Sequence, residues 1–146
     1  MSAKLPAQKL SPQARAMRQR IVAAAVACDY ARLQQLGNQG QRLTFSYGGE
    51  KSAAAYWRKL EAKGQQPLAT LVRILRLPVT RNETGAYAWP SAYRQRPTMR
   101  DWDLLVRAGV LTRAQADAQR RHGNVYYGYR TAIRANGDWQ FFVAGD

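Results

Sequence analysis

The stretch that decides the fold is Val125-Tyr126-Tyr127-Gly128-Tyr129-Arg130-Thr131-Ala132-Ile133-Arg134-Ala135-Asn136-Gly137-Asp138-Trp139-Gln140-Phe141-Phe142-Val143-Ala144. Val125, Tyr127, Tyr129, Thr131 and Ile133 alternate with Tyr126, Gly128, Arg130, Ala132 and Arg134, the period of two that gives a strand distinct faces. Asn136-Gly137 supplies a turn and Asp138–Ala144 returns, so the stretch predicts a C-terminal β-hairpin. A two-residue turn pairs Arg134 with Trp139, Ala132 with Phe141 and Arg130 with Val143, leaving one face both cationic and aromatic.

Working outward, Gly85-Ala86-Tyr87-Ala88-Trp89 reads as a short strand that Pro90 ends, and Leu43-Thr44-Phe45-Ser46-Tyr47 as another that stops at Gly48-Gly49. The rest is helical in period. Ser11 and Pro12 start a helix whose stripe is Met17, Ile21, Ala24 and Cys28, and Asp29 caps a short one carrying Leu33 and Leu36. Ser52–Lys63 places Ala53, Tyr56, Trp57 and Leu60 on one face; Pro67 opens a helix with Leu68, Leu71, Val72 and Leu75 inward. Thr98 with Asp101, and Thr112 with Gln115, are capping-box pairs that start two more helices, the second polar and at the surface. The expected fold is α+β, with about five or six helices packed on a small, mainly antiparallel sheet that ends in the hairpin.

A chain of 146 residues is long enough to bury its own core as one domain, here residues 11–146, preceded by a flexible basic tail over residues 1–10. With one cysteine, Cys28, and one histidine, His122, neither a disulfide framework nor a His/Cys metal cluster is available, and no cofactor is expected. Lys and Arg number 23 against nine Asp and Glu, a formal net charge of +14. Such a balance points to an anionic polymer, a nucleic acid or an acidic protein as partner. No run approaches the roughly 18 apolar residues of a membrane span. Ile21–Ala27 after five basic residues imitates an export signal, but its short Ala-rich run fits a capped helix better, with Cys28 a small buried hydrophobe.

Catalytic chemistry finds little support. Cys28 and His122 fall on segments of opposite character, and Gly48-Gly49 lacks the flanking pattern of a phosphate loop. Glu50, at a strand-to-helix junction, is the one carboxylate placed for a pocket, although a helix-start carboxylate interacting with the dipole is the simpler role. The aromatic residues exceed what a small core demands, so a minority line a groove. The candidate ligand-binding residues are Tyr47, Glu50, Trp89, Tyr127, Tyr129, Arg130 and Arg134. The expected function is a non-catalytic binding or interaction domain with a basic, aromatic-lined cleft. The alternatives are a nucleic-acid-binding protein and a small-molecule enzyme with a pocket carboxylate.

Four segments carry a resemblance: Thr44-Phe45-Ser46-Tyr47-Gly48-Gly49-Glu50, Ala55-Tyr56-Trp57-Arg58-Lys59-Leu60-Glu61, Tyr87-Ala88-Trp89-Pro90-Ser91-Ala92-Tyr93 and Asn136–Asp146 with its Trp139-Gln140-Phe141-Phe142-Val143-Ala144-Gly145-Asp146 ending. From about residue 12 onward the chain resembles a family of small uncharacterised bacterial proteins, often exported. The resemblance implies action in the cell envelope as a periplasmic or exported mature form, or a cytoplasmic member if the chain is complete as given. It brings no activity with it. A second, architectural resemblance is to the nuclear transport factor two-like cone fold, in which helices lead into a curved sheet and the chain ends in a hairpin. Here the helices after Pro67 are more numerous and the strands fewer.

Overall fold

A computed structural model describes residues 2–145; Met1 of the expected tail and Asp146 of the C-terminal motif lie outside the described residues. Among these the chain forms six helices and four strands, an α+β arrangement in which no helix is long and apolar enough to cross a membrane.

The helices begin where their caps predict. In α1 (Pro12–Val26) the Ser11 hydroxyl accepts from the Ala14 amide at 3.1 Å, and Asp29 does the same for Arg32 at the start of α2 (Tyr30–Gly37). Ser52 caps α3 (Ala53–Ala62), and Pro67 occupies the first turn of α4 (Pro67–Leu75). Both capping boxes form, Thr98 with Asp101 at α5 (Met99–Arg107) and Thr112 with Gln115 at α6 (Arg113–Arg121).

The end of α1 departs from the stripe. Asp29 N–H donates to the Ala24 carbonyl at 2.9 Å and Cys28 N–H to Ala25 at 3.1 Å, a Schellman closure that places Cys28 at φ +54°. That turn swings Cys28 into solvent, so the expectation of a buried thiol is corrected.

The sheet is antiparallel in the order β1 (Thr80–Arg81), β2 (Tyr87–Trp89), β3 (Arg130–Ile133), β4 (Trp139–Val143). Strand β1 is too short to carry a sequence pattern. The expected 43–47 strand reduces to one residue: Thr44 N–H donates to Gln140 O at 3.1 Å and Thr44 O accepts from Phe142 N–H at 2.9 Å, a parallel bridge onto β4. Beyond it Phe45 turns onto α3, 5.9 Å from the Tyr56 ring and 6.5 Å from Trp57, and that packing takes the chain off the sheet.

The hairpin closes differently from expectation. Arg134 N–H donates to Asp138 O, and Gly137 N–H, at φ +95°, donates to Arg134 O. The loop therefore has three residues with a left-handed glycine at its end. This slips the register so that Ile133 faces Trp139. One extra residue on β4, Gln140, then restores the pairs Ala132–Phe141 and Arg130–Val143. Because a bulge reverses the facing of whatever precedes it, Trp139 joins Ile133 and Phe142 on the helix side, while Phe141 stays on the opposite face with Ala88, Ala132 and Tyr93. The predicted pairing of Arg134 with Trp139 and the shared face of Trp139 and Phe141 are thus corrected. The strand is also shorter than its alternation suggests, since residues 125–129 lie outside it.

Helices α1 to α4 cover the face bearing Tyr87, Trp89, Ile133, Trp139 and Phe142, with Trp57 at the centre. Helices α5 and α6 build a second apolar cluster around Trp102, Leu105, Ala116 and Tyr126.

The tail expected to be loose lies along the domain. Leu10 is buried, Gln8 donates to Leu77 O at 2.7 Å, and Gln8 also accepts from the Trp89 indole at 2.9 Å. Arg18 locks it down. Buried among these segments, its guanidinium donates to Leu75 O at 3.0 and 2.7 Å and to Pro6 O at 3.0 Å, with the Trp89 ring 5.7 Å from Cζ. Burial lowers its pKa to about 10, and three carbonyl contacts compensate the loss of water.

Candidate binding cleft

Residues 38–53 leave α2, touch β4 at Thr44 and enter α3, and the side chain of Gln34 ties the two helices together. Its Oε1 accepts from the Ser52 hydroxyl at 2.8 Å and the Ala54 amide at 3.1 Å. Under this segment lies a cleft of about 540 Å³ lined by Gln34, Asn38, Arg42, Phe45, Glu50 and Lys51. Gln34 and Asn38 also line a second cleft of about 450 Å³ that reaches Arg58.

The walls are polar and cationic with one aromatic ring, the half-buried Phe45. Arg42 and Lys51 are exposed and lie outside the ion pairs of the described residues, Arg94–Asp101, Arg113–Asp103 and Arg120–Asp117, with Glu50 the one carboxylate on the same wall. Glu50 is turned back into its own loop by the Ser46 hydroxyl, and this hydrogen bond holds its carboxyl below the usual range. It is ionised at neutral pH and a poor proton acceptor there.

A third groove of about 410 Å³ runs between Ala25 and Val26 of α1 and Leu68, Ala69 and Val72 of α4, with Cys28 and Glu61 also among its lining. Tyr30 donates to Glu61 at 2.5 Å, and burial together with this bond pushes the phenol up to about 12. His122 stands at the C-terminal cap of α6 and does not line this groove, so Cys28 and His122 are not brought together there. Among the described residues no group of three or more His, Cys, Asp or Glu side chains is placed to hold a metal ion.

The seven residues singled out from sequence do not converge. Glu50 lines the polar cleft, and Tyr47, 64% exposed, sits on the same loop. Trp89 is a core residue whose indole N–H is taken by Gln8. Tyr129 is half-buried against Phe142 at 5.2 Å, and burial raises its pKa. Tyr127 is exposed beside α6, where its amide donates to Gln119 at 2.9 Å. Arg134 lies half-buried at the hairpin turn, while Arg130 is only 8% exposed, donates to Gly128 O at 3.2 Å and stacks 5.3 Å from the Tyr93 ring. Arg130 therefore belongs to the packing. Arg130→Ala lowers stability by about 1–2 kcal/mol and Arg134→Ala by less than about 0.5 kcal/mol, read as urea midpoints. Equal midpoints for the two variants contradict this assignment.

Arg42, Lys51, Gln34 and Asn38 escaped sequence reading. The available signal was the placing of Arg42 and Lys51 on either side of a glycine-containing turn that leads into the Ser52 cap. No family model, curated protein or solved structure matches the chain.

Proposed function

We propose that the protein is a non-catalytic binding module whose cleft between α2 and α3 receives an anionic segment of a polymer or of an acidic protein. The observation that carries this reading is the pair of exposed cations outside any ion pair of the described residues, Arg42 and Lys51, on the wall of an open polar cleft beside the Phe45 ring. A net charge of +14 adds a long-range attraction that raises the encounter rate with such partners. Envelope localisation is in keeping with the family resemblance and rests on it alone. The reading as a small-molecule enzyme draws less support, because Glu50 is exposed and the Ser46 hydrogen bond shifts its pKa downward, away from the range a general acid or base needs at neutral pH.

The test measures affinity against salt for a fluorescent heparin fragment, a poly-glutamate peptide and a single-stranded oligonucleotide. Arg42→Ala/Lys51→Ala weakens binding and reduces the log–log salt slope on the oligonucleotide by about 1.4, two contacts at roughly 0.7 each. An unchanged slope on all three probes rejects the cleft. The nucleic-acid alternative rests on charge; protein that purifies free of nucleic acid at low salt, by its absorbance ratio, counts against it.

A further inference from the structure

Four large apolar side chains are exposed among the described residues, and three of them, Met99 at 54%, Val125 at 41% and Tyr127 at 43%, belong to the α5–α6 unit. One asparagine gathers them. Asn124, just beyond α6, accepts from the Trp102 indole at 2.8 Å and donates to Pro97 O at 3.1 Å, which brings the end of α6 and the segment after it to the start of α5. Tyr127 is tied to the same end of α6 through Gln119. Met99 opens α5 and Val125 follows Asn124, so the three residues lie on segments that meet at one end of the helical pair.

Among the described residues of this unit the charges outside ion pairs are positive. The acidic residues of this unit, Asp101, Asp103 and Asp117, are each paired with an arginine of the same unit. Arg96, Arg100 and Arg121 are exposed, outside those pairs, and flank the apolar side chains from the α5 start and the α6 end. The patch thus combines protruding aliphatic and tyrosyl groups with surrounding guanidinium groups. Phosphate binding along a nucleic acid leaves Met99 and Val125 without a role, and stacking of bases calls for a series of aromatic rings where there is one. An acidic lipid surface uses every member: apolar tips enter the headgroup boundary, tyrosine sits at the interface, and arginines meet phosphates.

We infer that the end of the α5–α6 unit formed by Met99, Val125, Tyr127, Arg96, Arg100 and Arg121 is a peripheral docking surface for an anionic lipid bilayer. It lies on a different part of the fold from the Arg42–Lys51 cleft and does not depend on the function proposed for that cleft.

Co-sedimentation of the full chain with vesicles tests it, using phosphatidylcholine alone and phosphatidylcholine mixed with phosphatidylglycerol. The chain binds the mixed vesicles and is released by salt. Replacing Arg96, Arg100 and Arg121 by alanine lowers the partition coefficient about fivefold for each arginine removed. Met99→Ser/Val125→Ser/Tyr127→Ser weakens binding about tenfold with an unchanged melt, and Tyr127→Ser alone gives part of that loss should the triple variant fail to fold. Arg42→Ala/Lys51→Ala binds vesicles like the parent chain. Equal binding to pure phosphatidylcholine, binding that survives both triple variants, or absence of vesicle binding alongside duplex DNA binding lost in the arginine variant overturns the proposal.

Discussion

Replacing Trp57 by alanine lowers the free energy of unfolding by about 3–5 kcal/mol, the cost of emptying a large site in a close-packed interior. The indole is 1% exposed and lies 6.1 Å from the Trp139 ring, 6.0 Å from Phe142 and 6.5 Å from Phe45, so three rings on two segments, β4 and the 38–53 loop, lose a shared partner at once. Urea denaturation followed by far-ultraviolet circular dichroism measures the loss. Phe45 is also the aromatic wall of the cleft, so the variant loosens the loop that carries Arg42 and Lys51. Affinity for an anionic probe falls together with stability in Trp57→Ala, whereas Arg42→Ala/Lys51→Ala loses affinity at constant stability. A denaturation midpoint unchanged by Trp57→Ala refutes the central place given to this residue.

The second large effect is at Asp101, buried at the first turn of α5. Its carboxylate accepts from the Ser91 hydroxyl at 2.6 Å, the Thr98 amide at 2.8 Å and the Thr98 hydroxyl at 3.1 Å, and Arg94 approaches within 3.0 Å. Asp101→Ala removes the carboxylate half of the α5 capping box, leaving the Thr98 amide unpaired, and strands the buried Ser91 hydroxyl, at a cost of about 3 kcal/mol. Burial by itself raises the carboxyl pKa, but the hydrogen bonds from Ser91 and Thr98 and the charge of Arg94 outweigh it, and the net shift is downward. A carboxyl whose pKa is lower folded than unfolded contributes its full stabilisation above the ordinary carboxylate range and loses it as pH falls through the folded value. The stability gap between the parent chain and Asp101→Asn is therefore wide at neutral pH and narrows in acid below about pH 4. A gap that stays constant from neutral pH into acid is incompatible with an ionised Asp101 in the fold.

Local signals read from the chain correctly when the interaction they describe is itself local. The capping pairs Thr98–Asp101 and Thr112–Gln115 close within three residues, and the stripes Leu68, Leu71, Val72, Leu75 and Ala53, Trp57 follow one helical period, so their positions hold whatever they pack against. The same reasoning misplaced Cys28, because a period says nothing about where the backbone leaves it. Glu50 was the one candidate found to line the polar cleft; its cationic neighbours stand together through a loop whose course depends on Phe45 meeting α3 and on Gln34 bridging to Ser52.

From its sequence alone this chain has the α+β class, six helix starts, the C-terminal hairpin and an excess of positive charge, since short-range hydrogen bonds, apolar periodicity and the charge sum require no knowledge of distant partners. Tertiary structure decided the rest. It set the three-residue loop and the Gln140 bulge that send Trp139 inward, and it drew residues 2–10 onto the domain through Gln8 and Arg18. It buried Arg130 while leaving Arg42, Lys51, Arg96, Arg100 and Arg121 in solvent. An arginine in a sequence is one chemical group in either setting; whether it packs or binds depends on carbonyls and rings contributed by residues far along the chain, and only the folded arrangement brings those to it.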